Sequence, residues 1–214
     1  MKTGKKALLL ALCAVLLVAA TVMGTMAYLT ASDTVTNTFT VGKVAIKLDE
    51  AKVGTDGKAL TDDKAERVKE NNYKLMPGHV YDKDPTVTVL SGSEESYVRL
   101  RVTVDFEKAL TDELLATKLD GIFTGYDKNE WPLYKKTVSE DKKMITYEYR
   151  YKTTVAAEKD NVALAPLFTK INVPGDWTND TLKALGNFNI NIEADAIQKD
   201  GFGTADAAWA AFKA

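Results

Sequence analysis

An all-β fold, a jelly-roll-like antiparallel β-sandwich with short loop helices, follows from three stretches of unbroken alternation. Residues 97–106 put Val98, Leu100, Val102, Val104 and Phe106 on one side and Arg99, Arg101, Thr103 and Asp105 on the other. Residues 145–152 set Ile145, Tyr147, Tyr149 and Tyr151 against Thr146, Glu148, Arg150 and Lys152. Residues 187–197 point Phe188, Ile190, Ile192, Ala194 and Ala196 inward, away from polar neighbours. Successive strand side chains face opposite ways, so one apolar row at a period of two means one buried face and one wet face. Sheets wet on one side are antiparallel, because parallel sheets are covered on both faces by their crossovers.

The other elements follow in order. In residues 36–48, Phe39 and Val41 share a face, as do Val44, Ile46 and Leu48, but the phase slips by one at Gly42 and Lys43. A bulge at Gly42, or a bend between two sheets, reconciles them. Residues 49–74 form a charged excursion with an Asp56-Gly57 turn and a weak helical pattern over 62–69. Loops this long are usually functional or mobile. Residues 86–90, 131–137 and 167–173 are further strand candidates. Residues 111–119 have a polar start, Leu114, Leu115 and Leu119 at helical spacing, and Gly121 as a stop; residues 204–212 are a second short helix.

The chain opens like a secretory signal. Lys2, Lys5 and Lys6 precede an apolar run from Ala7 to Ala20, and residues 21–27 turn small and polar. The run is short for a membrane span, though a retained anchor is the alternative. Thr25 and Ala27 sit at −3 and −1 of the expected cut, which frees Tyr28. Cys13 is no lipid-attachment cysteine, since Leu12 stands where a small residue is needed. Two segments result: a signal peptide, 1–27, and one β-sandwich domain, 28–214, with 49–74 as a loop insertion. Signal peptidase is the partner during export, and the membrane is met only through the signal.

Removing three lysines takes the net charge from −2 to −5. A mildly acidic chain is a poor nucleic-acid binder, because phosphate contacts need a basic face. Cys13 is the only cysteine and leaves with the signal, so no disulfide framework is available and a core must supply the stability. His79 is the only histidine, set in a Met76-Pro77-Gly78-His79 turn, and there is no His-Glu-x-x-His. Asp62/Asp63, Asp82/Asp84 and Glu94/Glu95 are acid pairs without a known calcium-loop spacing, and they fit a solvated loop face. Tyr147, Tyr149 and Tyr151 read as core; a sugar platform is the alternative. Arg99, Arg101, Glu148, Arg150 and Lys152 read as the solvated face of their strands. No catalytic residue, metal ligand or cofactor is assigned.

Several pieces, in order, carry a family resemblance: residues 24–28 (GTMAY), 37–48 (NTFTVGKVAIKL), 75–78 (LMPG), the alternating strand from Tyr97, and 189–198 (NINIEADAIQ). Together these resemble the TasA/camelysin group of Gram-positive exported proteins, which are processed by a SipW-type signal peptidase. Residues 107–186 carry little of the pattern. The resemblance implies a jelly roll exported to the cell surface or biofilm matrix, and polymerisation in which the freed N-terminal strand of one subunit completes the sheet of the next. A metalloprotease role described for camelysin does not fit a chain with one histidine. The excursion at 49–74 is an insertion relative to the compact pattern.

The residues also give such assembly a physical basis. Residues 28–40 are strand-compatible, carry only Asp33 as a charge and follow the cut directly. Once freed, they can pair with an open sheet edge, with Tyr28 at the new end and Leu29, Val35 and Phe39 as apolar anchors. An ordinary N-terminal strand in a monomer is the alternative. The expected function is therefore a secreted structural protein, with fibre formation as what the resemblance adds. A secreted binding module for carbohydrate or a surface protein comes second, and a secreted hydrolase third.

Overall fold

The computed structural model describes residues 4, 6, 8, 11–16, 42–117 and 121–213. The chain divides into two compact units, Met1–Thr40 and Val41–Ala214. In the first, residues 11–16 are helical, with Leu12, Val15 and Leu16 exposed. The expected cleavage pair, Ala27 and Tyr28, and the anchors Leu29, Val35 and Phe39 lie outside the described residues. No described helix is long and apolar enough to cross a membrane.

The second unit is all-β and antiparallel, as the alternation requires. A five-stranded sheet runs β12 (Phe188–Gln198), β5 (Ser93–Phe106), β8 (Met144–Arg150), β7 (Leu133–Val138), with β9 (Val155–Ala157) on the start of β5. A four-stranded sheet runs β10 (Val162–Ala163), β4 (Thr86–Val89), β1 (Ile46–Ala51), β2 (Arg67–Val68). A three-stranded sheet runs β3 (Val80–Asp82), β11 (Lys170–Asn172), β6 (Phe123–Thr124). Short helices α1 (Asp112–Thr117) and α2 (Asn179–Leu185) sit in the connections, and α3 (Ala205–Ala211) follows β12.

The apolar rows make the core. Val98, Leu100, Val102, Val104 and Phe106 of β5 pack with Ile145 and Tyr147 of β8, Val87 and Val89 of β4, Phe168 and Ile171. The register pairs Val102 with Ile192 on one side and with Tyr147 on the other, so three apolar rows stack across the sheet. Tyr147 and Tyr149 are buried, which settles their row as core rather than a platform. Trp131 is fully buried just before β7, and its indole N–H donates to the Ala165 carbonyl at 2.8 Å.

Several expectations need correcting. Among the described residues there is no strand bulge at Gly42: residues 42–45 are irregular, and β1 begins at Ile46 and continues to Ala51, inside the expected excursion. That excursion is pinned rather than loose. Val53 bridges Ala59, Gly57 packs on the Tyr81 ring where a Cβ would come within 2.2 Å, and the Gly57 carbonyl accepts from the Asp82 amide. Its left-handed φ of 74° further suits glycine there. The helical pattern over 62–69 yields only a 3₁₀ turn, Asp62–Lys64, followed by β2. The strand expected over 167–173 is confined to β11. Helix α2, unforeseen in the sequence, is capped by Thr178, whose hydroxyl accepts from the Thr181 amide, and ends at Gly186.

The face expected to be solvated is largely covered. Arg99 is only 13% exposed; its guanidinium lies 4.5 Å from the Trp209 ring and 5.0 Å from the Phe212 ring, so α3 closes over it. Asp195 accepts from the Nε–H groups of both Arg99 and Arg101, Glu148 accepts from Arg150, and Arg150 reaches Asp206 of α3. Buried charges are tolerated here because each is paired.

Candidate functional site

Where the edges of two sheets meet, β1 and β12 border a groove of about 860 Å³. Ile46 and Leu48 line one side, Phe188, Ile190 and Ile192 the other, and Ile171 contributes to its lining. All five of these strand residues are only half-buried, unlike the apolar row of β5 beside them.

Hydrogen-bond alternation gives the groove a second property. In an antiparallel ladder each residue directs its N–H and C=O to the same side, and neighbours alternate. The Ala45 carbonyl accepts from the Leu90 amide on the β4 side, whereas the Lys52 amide donates to Glu66 on the β2 side. The amides and carbonyls of Ile46 and Leu48 therefore face away from β4, into the lane that β2 occupies only at Glu50 and Ala51. On β12 the Asn187 carbonyl accepts from Glu107, and the Lys199 amide donates to Glu95. By the same alternation Phe188, Ile190 and Ile192 turn their backbone groups away from β5. Among the described residues no strand pairs with these two edges. The residues whose backbone groups no described strand pairs are thus the ones whose side chains line the groove.

One end of the groove is polar and built from the excursion. Residues 68–73 return along it, and Asn71 donates to Glu50 and to the Ala51 carbonyl at 2.9 Å while accepting from the Val53 amide at 3.0 Å. Glu50 and Lys83, each 8% exposed, form an ion pair beside the Tyr73 ring. Outside it, Arg67 bonds Asp49 at 2.5 Å and Asp84 at 2.8 Å, and Lys47 reaches Asp49 at 2.6 Å. Burial pushes the Asp49 carboxyl up, but the hydrogen bonds and charges of Lys47 and Arg67 outweigh it and hold the group below its ordinary value.

The other sequence candidates are scattered. His79 lies in an exposed turn closed by its amide donating to Met76. Asp82, expected in a loop, is on β3 and pairs with Lys170, and Glu95 pairs with Lys199. No group of three or more His, Cys, Asp or Glu among the described residues is placed to hold a metal. The groove itself was not foreseen. Periodicity identifies which residues of β1 and β12 turn inward, but not that the two strands become neighbouring edges.

Comparison with family models, with curated proteins and with solved structures finds no match.

Proposed function

We propose that the mature chain is an exported, non-enzymatic structural protein of the cell surface or biofilm matrix, assembled by strand donation between copies. Residues 28–40 of one subunit enter the β1–β12 groove of the next. The observation that supports this reading is that, on Ile46, Leu48, Phe188, Ile190 and Ile192, edge amides that no described strand pairs coincide with half-exposed apolar side chains. A guest strand satisfies both at once, by backbone pairing and by filling apolar space.

The donor has the complementary chemistry. In an extended chain Leu29, Val35 and Phe39 fall on one face, since their spacings are even. Each contributes about 1.5–3 kcal/mol if fully buried. Asp33 is the only charge in the segment. Before processing, the segment is tethered to the signal; cleavage at Ala27 frees it from Tyr28 onward. The resemblance to the TasA/camelysin group points the same way.

The test uses mature protein beginning at Tyr28 and a form lacking residues 28–37, compared by light scattering and negative-stain imaging at equal concentration. The intact chain forms filaments, and the shortened chain stays a folded monomer. Filaments in the shortened protein would rule out this donor.

A further inference from the structure

The excursion at 49–74 builds part of the groove, and its placement has a consequence for assembly. Strand β2 lies in the same lane along β1 that a guest strand would use: it pairs Val68 with Glu50 and Arg67 with Ala51, and ahead of it, beside Ile46 and Leu48, no described strand pairs with β1 in that lane, and β12 lies alongside. We infer that residues 68–71 are the stop against which the incoming strand of a second copy ends, and so fix its register. This inference rests on the strand-donation reading above.

A two-residue slip keeps every side chain of a guest strand on the same face, so facing alone does not fix the register; only the identity of the residues between the anchors, Ala31, Asp33 and Asn37, opposes it. A fixed obstacle in the lane removes that freedom. The obstacle here is held from both sides. Arg67 is clamped by Asp49 and Asp84, and its Nη2 group donates to the Asp49 carbonyl at 2.9 Å and the Asp84 carbonyl at 3.2 Å. Asn71 ties the following turn to Glu50, Ala51 and Val53. Beneath it the paired charges of Glu50 and Lys83 lie in the groove lining, and they favour ending an apolar strand before this point, since a side chain pushed further would break a buried pair. The partner this groove selects is therefore a strand end of set length, whose apolar anchors lie on the β12 side of the stop.

Disulfide trapping reads the register directly. Cys13 is the only native cysteine and is lost with the signal, so the mature chain gives no background. Lys69→Cys, on an exposed residue of the stop, is combined with single cysteines placed in turn from Tyr28 to Thr38, in mature full-length protein assembled and then oxidised. One guest position should trap intermolecularly in clear preference to positions two residues on either side. Asn71→Ala, which loosens the stop, should spread the trapping over those neighbours while filaments still form. Filaments with equal trapping at alternate positions, or with none at Lys69→Cys, would overturn the stop while leaving strand donation standing. Absence of filaments from the intact chain would overturn strand donation, and the stop with it.

Discussion

The Asp195 end of β12 and its apolar row meet different surroundings. Asp195 meets Arg99 and Arg101 beneath α3, so that Arg99 and Asp195 are each 13% exposed, whereas Asn187, Asn189, Asn191 and Glu193 of the same polar row are exposed. The apolar row of β12, Phe188, Ile190 and Ile192, lines an open groove and is only half-buried. A chain that only had to fold would gain more by roofing the apolar row, at about 25 cal/mol per Å² of apolar surface removed from water. The polar roof depends on specific partners: a guanidinium against two neighbouring aromatic rings, and carboxylates each matched to an arginine. Under the strand-donation proposal, the apolar row is the surface a guest strand would cover, while α3 belongs to the subunit itself.

The largest effect separates the core from both rows. Val102→Asp places an ionised carboxylate between Ile192 and Tyr147 with no partner, which costs several kcal/mol of a total near 5–15. Thr103→Asp, one residue on, loses only the hydroxyl contact to Thr146 on the opposite face. Thermal unfolding should show the first variant unfolded and the second close to the parent. Equal melting temperatures would place the core face wrongly.

Next is the roof. Trp209→Ala removes a 7%-exposed ring from Arg99 and should lower stability by about 3 kcal/mol, read as a shifted denaturant midpoint. A midpoint unchanged from the parent would mean that α3 is not fastened as described, and the contrast between the Asp195 end of β12 and its apolar row would fail.

Smaller still is the acid response of the groove's polar end. The Asp49 carboxyl is held below its ordinary value of 3.8, so its contribution to stability is fully present above that value and is lost as pH falls through the lowered folded-state value. Asp82 is shifted the same way, because burial raises it but the Ala59 amide and Lys170 outweigh that. Stability should therefore fall on acidification below about pH 4, and Asp49→Asn should flatten that fall while leaving the slope near neutrality unchanged. An identical acid limb in the variant would show that the Lys47–Asp49–Arg67 cluster does not stabilise the fold.

The long amphipathic strands were legible in the sequence because period two is a local signal: β5, β8 and β12 lie where alternation puts them. Strands of two or three residues, such as β2, β6, β10 and β11, carry too few side chains to show a period. Helix α2 is seven residues with one buried leucine, and only its Thr178 cap and Gly186 stop were there to be read. The Arg99 face looked solvated because alternation records which side of a strand a residue is on, not what the far end of the chain lays over it. The groove was illegible for the same reason. The inward phase of Ile46, Leu48 and Ile192 could be read, but the meeting of β1 and β12 as free edges depends on contacts between residues far apart in sequence.

The strand-donation proposal requires that the β1 edge at Ile46 and Leu48, which no described strand of the subunit pairs, is filled in the assembly, and amide hydrogen exchange along β1 tests it most directly. In dilute mature monomer, the Lys47 and Asp49 amides, which face β4, should be protected, while those of Ile46 and Leu48 should exchange quickly. In filaments, all four should be protected. Slow exchange at Ile46 and Leu48 already in the monomer would contradict the account, because the edge would then be filled within a single chain. Fast exchange there in filaments would contradict it equally.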